Sequence, residues 1–326
     1  MIKNSKIFRF IDIQYVFFFE VSIGIIANTI LLLFYILTFL LQHRLKPTDL
    51  TIGHLAFVHI VMLVTLGFIA IDIFGYQGLG DDIACKSVIY LYRVMRGLSI
   101  CTTCLLSVLQ AITLSPRSCC LAKFKQKSLH QNLCCFLCLW VFNMLIRGRY
   151  LISTTATPNM TSHNLMFVTH SCSLWPISYV LKYITSSLMI FQDISVVGLM
   201  GLSSVYMVIL LYRHRRQSQH LHRTSLAPKA SPEQRATHTI LLLMSVFVVI
   251  YALDCVISST SGVFWKPNQI HHCVQMLIGN GYATISPLVL ISTEKRMIKC
   301  LTSMYWKNGE CLFIGDDSFS DSGKLF

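Results

Sequence analysis

The chain has 326 residues, 54% of them hydrophobic and only 13% charged, with a mean hydropathy of +0.61. A soluble domain carries about 25% charged residues, so this composition excludes an ordinary water-soluble fold and indicates a membrane protein. The formal net charge of +13 does not point to nucleic acid, because the basic residues sit between apolar runs, where they orient a membrane protein.

Taken in chain order, seven apolar runs cover residues 15–41, 50–71, 89–114, 133–152, 183–211, 239–259 and 272–291. A helix rising about 1.5 Å per residue needs roughly 20 residues to cross about 30 Å of hydrocarbon, and each run is long enough. The expected fold class is an all-α membrane protein, a seven-transmembrane-helix bundle over residues 1–291 with a tail over 292–326. The opening segment MIKNSKIFRF is polar and basic. The run behind it is too long for a signal-peptide core and lacks a small-residue cleavage site, so it reads as a retained signal anchor.

Seven spans place the termini on opposite sides. Lys and Arg number 17 in the connections after spans one, three, five and seven and 8 in the others, with Arg93 and Arg96 inside span three. The positive-inside rule then puts the N-terminus outside and the C-terminus in the cytoplasm. Span one alone, with three basic residues before it and two after it, leans the other way. Asn159-Met160-Thr161, the single Asn-x-Ser/Thr sequence, falls on the outer side, where glycosylation requires it.

Most of the 13 cysteines lie in or beside spans and read as small apolar packing residues. Cys134, Cys135 and Cys138 contain a CxxC, but in the opening turns of an apolar run, without a second ligand pair, they do not make a zinc site. Cys85, just before span three, and Cys172, in the loop before span five, both fall on the oxidising side. A bond between them would tie the long loop over the bundle.

Polar residues inside spans are costly in hydrocarbon and mark function. Arg93 and Arg96 share a helix face at i, i+3. Arg96 is either a cationic contact for an anionic or polar ligand or one half of an ion pair with Glu20, Asp72, Asp193 or Asp254. Arg93 is expected to meet a headgroup or a loop. Glu20 and Asp254 are further ligand-contact candidates, and the sequence does not place them in one cavity. Pro287 removes a backbone donor and should kink span seven, as a hinge or as a static bend.

On the inner side, Arg213 to Arg235 is basic, histidine-containing and interrupted by two prolines, and reads as a polar loop for an acidic partner or anionic lipid. Met297, Ile298, Leu301 and Tyr305 recur at helical spacing, as in a short helix along the membrane, with Cys300 a palmitoylation candidate. The final residues GDDSFSDSGKLF read as disordered. No HExxH, Gly-x-Ser-x-Gly or GxxxxGK[ST] signature occurs, so no catalytic residue, metal or cofactor is expected. A transporter would show two related halves, and no such repeat is visible.

Five stretches carry a family resemblance: GIIAN at Gly24–Asn28, RVMRGLSICTTCLLSVLQAITLSP at Arg93–Pro116, SCCLAKFKQKS at Ser118–Ser128, SPEQRATHTILLL at Ser231–Leu243 and YATISPLVLISTEK at Tyr282–Lys295. In these the chain resembles the vomeronasal type-1 pheromone receptors, seven-helix G-protein-coupled receptors. The resemblance implies a receptor for small pheromone-type molecules in the plasma membrane, coupled to an inhibitory-class heterotrimeric G protein. It also implies a disulfide between Cys85 and Cys172 and a glycan on Asn159. Apart from the resemblance, the placement of charges in the spans and connections suggests that a ligand would enter the outer half of the bundle near Arg96, Arg93, Glu20 and Asp254, while Arg213, Arg215, Arg216 and Arg235 would border the G-protein cleft. The chain lacks the Asp-Arg-Tyr of span three and the Asn-Pro-x-x-Tyr of span seven found in rhodopsin-like receptors. Leu114-Ser115-Pro116-Arg117 and Ser286-Pro287 stand there instead. A bitter-taste receptor and a transporter are the alternatives. The expected partners are the ligand, the G protein and membrane lipid, with no nucleic acid.

Overall fold

The structure, a computed structural model, describes residues 2–42, 46–76, 78–115, 129–156, 166–167, 169, 171–175, 178–221, 232–263, 269–293 and 297. In chain order come α1 (Ile2–Gln42), α2 (Pro47–Ile73), α3 (Asp82–Leu114), α4 (Leu129–Arg147) and the short α5 (Arg149–Ser153). Three strands follow, β1 (Thr154–Ala156), β2 (Met166–Phe167) and β3 (Cys172–Leu174), and then α6 (Tyr179–Leu221), α7 (Pro232–Val263) and α8 (Gln269–Thr293). Among the described residues six helices are long and apolar enough to cross a membrane, and α7 adds a shorter apolar stretch, Thr239–Asp254. Each expected span falls inside one helix, except that α4 and α5 share the fourth and break at Gly148.

Local sequence sets several of these ends. Lys46 is extended (φ −70°, ψ 147°) because it precedes a proline, and Pro47 opens α2, where a missing N–H costs no helical bond. At the other end Gly75, at φ +76°, takes the left-handed position. Its N–H reaches the Asp72 carbonyl at 3.1 Å and that of Tyr76 reaches the Ile71 carbonyl, also at 3.1 Å, so the last turn of α2 is satisfied.

One expectation is corrected between spans five and six. Residues Arg213 to Leu221, read as part of a loop, continue α6 as helix. They contain no glycine or proline, and a helix keeps their backbone groups bonded internally. The helix resumes at Pro232, which occupies the first position of α7. Asn159, Cys300, the final GDDSFSDSGKLF and most of the expected tail helix lie outside the described residues. Of that helix Met297 is described, and it is buried in the core cluster that includes Tyr35, Leu243 and Leu290.

The bundle is organised around α3, which packs against α2, α4, α6 and α7. Two rows of its side chains divide the work. Tyr92, Arg96 and Ser99 face α8, α7 and α2, bonding to Asn280, Asp254 and His59 respectively. The i, i+4 row Cys85, Ile89, Arg93, Gly97 and Cys101 faces α4, α5 and β3. Because lipid is as apolar as leucine, such contacts hold the helices through close packing and hydrogen bonds rather than through exclusion from water.

A small antiparallel sheet of order β1-β3-β2 lies at the α3 N-terminus, with Ala156 opposite Cys172 and Phe167 opposite Ser173. It is anchored covalently by the Cys85–Cys172 disulfide, with 5.8 Å between Cα atoms. Two carboxylates add to the anchor. Asp72 accepts from the Ser171 hydroxyl at 2.6 Å and its N–H at 3.1 Å, and Asp82 accepts from the Ala156 N–H at 3.0 Å.

Candidate ligand-binding site

Span three places Arg96 where α2, α3, α7 and α8 converge. Its guanidinium donates to the Asp254 carboxylate on α7 at 2.5 Å, the pair being largely withdrawn from the surface. Of the four carboxylates open to Arg96 from sequence, Asp254 is therefore the partner. Asp72 instead holds Ser171. The second Asp254 oxygen, Oδ1, is buried without a hydrogen-bond partner.

Beside this pair is a cavity of about 30 Å³, lined by Met62, Ser99, Ile100, Phe247, Tyr251 and Gly279 among others. That volume suits a water molecule or two, whereas ligand pockets run from about 300 Å³ upward. The charged pair joins spans three and six beside this small cavity.

Two other sequence candidates lie elsewhere. Glu20 on α1 faces α8: its Oε1 is buried without a partner, and a Cβ at Gly281 would stand 3.8 Å from it. Arg93 does not line the cavity. Its guanidinium lies 5.1 Å from the ring centre of Tyr150 on α5, where a headgroup or loop contact was expected. A helix rotates successive residues by about 100°, so the i, i+3 spacing leaves Arg93 and Arg96 displaced enough to meet different neighbours.

Sequence reasoning passed over two histidines of span two. His59 is buried, with Nε2 2.7 Å from the Ser99 hydroxyl and Nδ1 3.5 Å from that of Ser286. His54 accepts from Trp140 Nε1 at 3.0 Å through its own Nε2, which assigns the proton to Nδ1, 3.2 Å from Thr102. Helical spacing with Leu55, Met62 and Leu63 was the available signal, since a polar residue on a buried face requires partners.

Ser115, at the C-terminal end of α3, and Tyr206 on α6 share a hydroxyl hydrogen bond of 2.7 Å. Arg213 and Arg216 are exposed on α6, while Arg215 lies in the same helix and Arg235 in α7.

Comparison with known proteins agrees with this architecture. Residues 11–303 match the model of the vomeronasal organ pheromone receptor family. The chain is 54% identical to vomeronasal type-1 receptor 90 of Rattus norvegicus over 304 residues, covering 93% of this chain and 98% of the relative. It is 48% identical to vomeronasal type-1 receptor 51 of Mus musculus over 305 residues, covering 93% and 95%. On these matches the chain is a multi-pass membrane receptor belonging to the vomeronasal organ pheromone receptor family.

Proposed function

We propose that this chain is a chemosensory receptor that takes a small pheromone-type molecule at the Arg96–Asp254 cavity and signals through an inhibitory-class heterotrimeric G protein. In this reading the N-terminus and the disulfide-held sheet face outward, and the inner ends of α3, α6 and α7, with Arg213, Arg215, Arg216 and Arg235, border the G-protein cleft. The observation that supports it is the Arg96–Asp254 ion pair, which joins spans three and six beside a small cavity lined by four helices.

A molecule that enters there must widen the cavity, and a polar one competes for Arg96 or Asp254. Either event favours arrangements in which α7 has moved from α3. The shift is limited by the ligand's differential affinity for the two arrangements: going from 1:99 to 99:1 requires about 10⁴-fold preference. Family membership leaves no ground for the bitter-taste or transporter alternatives.

The test is G-protein activation in cells displaying the chain, challenged with fractionated urine, alongside Arg96→Ala at matched surface level. A response in the parent that the variant loses supports both function and site. A response the variant keeps at the same half-maximal dose removes Arg96 from the site, and a response that does not require an inhibitory-class G protein overturns the coupling.

A further inference from the structure

A second set of arginines lies outside the cavity, and none of the three is in an ion pair among the described residues. Arg147, at the end of α4, is only 6% exposed. Its guanidinium donates to two neutral acceptors, Asn143 Oδ1 at 2.8 Å and Gln192 Oε1 at 3.2 Å. Arg149, one residue past the break in the fourth span, donates to the hydroxyls of Thr185, Ser186 and Tyr150 at 3.1, 2.9 and 3.0 Å. Arg93 and Arg149 both lie against the Tyr150 ring, 5.1 and 4.8 Å from its centre, and the Nε of Arg93 is buried with no hydrogen-bond partner.

The ion pairs among the described residues are Lys86–Asp82 and Arg96–Asp254, and neither involves these three. One carboxylate, Asp193 on α6, is within electrostatic reach of Arg147. It bonds to Tyr251, and its Oδ1 is buried without a partner. Three fixed positive charges therefore face one negative charge.

The imbalance has a cost. A guanidinium cannot shed its proton, and withdrawing an ion from water costs several kcal/mol even after relaxation. A neutral hydrogen bond returns about 1 kcal/mol, and a cation over an aromatic face about 0.5 to 2 kcal/mol. Charges inside a membrane bundle are ordinarily paired, and here the counter-charge within the described residues is insufficient.

The chain packs as though this cluster were required. Gly97 sits on the α3 row opposite Arg147, and a Cβ there would collide with that guanidinium and with Asn143 Oδ1. Tyr150 packs under the disulfide with Cys85, Ile89 and Cys172, so the cluster lies directly beneath the sheet. Arg93 and Arg149 are half-buried and can be approached from the surface.

We infer that Arg93, Arg147 and Arg149, arranged around Tyr150 beneath the disulfide-held sheet, form a binding site for an anionic group, separate from the Arg96–Asp254 cavity. Planar guanidinium forks suit sulfate, phosphate or carboxylate, carried either by a soluble organic anion or by a lipid headgroup. The inference does not depend on the receptor reading.

The test uses the full chain purified into phosphatidylcholine nanodiscs, with thermal unfolding followed on addition of naphthyl sulfate, of uncharged naphthol, or of phosphatidylglycerol in the disc. Occupancy raises Tm by about 5 °C at saturation. A rise with naphthyl sulfate and not naphthol assigns a soluble anion. A rise with phosphatidylglycerol, to which naphthyl sulfate adds nothing, assigns a headgroup. In either case Arg93→Gln and Arg149→Gln, at half-buried positions chosen because loss of Arg147 endangers the fold, each abolish the rise. The inference is overturned if neither anion outperforms the neutral conditions, or if the rise persists in both variants. A purely structural role for these arginines would change Tm equally with and without anion. No G protein is present, so this outcome is independent of the signalling test.

Discussion

Asn28 on α1 donates its side-chain amide to the carbonyl of Ala283 on α8 at 2.8 Å, and this is the carbonyl that Pro287 leaves without a helical donor. The same amide also reaches the Gly24 carbonyl at 2.7 Å. Spans one and seven are therefore joined at the point where the proline interrupts span seven. Asn28→Ala exposes a buried acceptor and should cost about 1 to 3 kcal/mol. Pro287→Ala restores an N–H at that position, so the double variant should lose less than the sum of the two single losses. Thermal unfolding of the three purified variants decides it, and simple additivity would remove the compensation argument.

Gly97 and Gly201 are predicted to respond oppositely to alanine. At Gly97 the new methyl meets Arg147 and Asn143, whereas at Gly201 nothing lies within 4 Å. Overpacking should cost Gly97→Ala about 1 to 3 kcal/mol. Gly201→Ala, in a helix interior, should be neutral or stabilising by up to about 1 kcal/mol. Thermal stability in detergent reads both, and equal losses would contradict the packing seen around α3.

Breaking the Arg96–Asp254 pair from one side leaves an uncompensated charge. Asp254→Asn should lower stability by about 3 to 5 kcal/mol and raise basal G-protein signalling, because the contact between spans three and six is lost. Replacing both residues together with apolar ones of similar volume should recover most of the stability. Basal signalling normalised to surface level separates this from a static packing role, for which activity would fall with stability.

The Cys85–Cys172 bond closes a separation of 87 residues. Cys172→Ser should cost about 2 to 5 kcal/mol and reduce surface display. Because Tyr150 shares a buried cluster with both cysteines, the loss should also weaken any anion-dependent rise in Tm. An unchanged rise at reduced Tm would show that the disulfide and the arginine cluster are independent.

The seven apolar runs could be read directly from the residues, although α2 extends a few residues past the run at each end and α3 begins at Asp82, so Cys85 lies in its first turn. A bilayer fixes helix length and requires every backbone group to be bonded within its own segment, so local composition suffices. Family membership was legible from contiguous stretches such as Gly24–Asn28 and Arg93–Pro116. What the sequence left open was rotational. Arg96 had four possible acidic partners, and only the packing of α7 against α3 selected Asp254. Arg147 and Arg149 counted in sequence as outer basic residues, yet the break at Gly148 and the approach of α4 to Gly97 bring them against Arg93 and Tyr150. Span length is a property of one helix in lipid, whereas the direction a side chain faces depends on how several helices pack together, and that was decided by the tertiary structure.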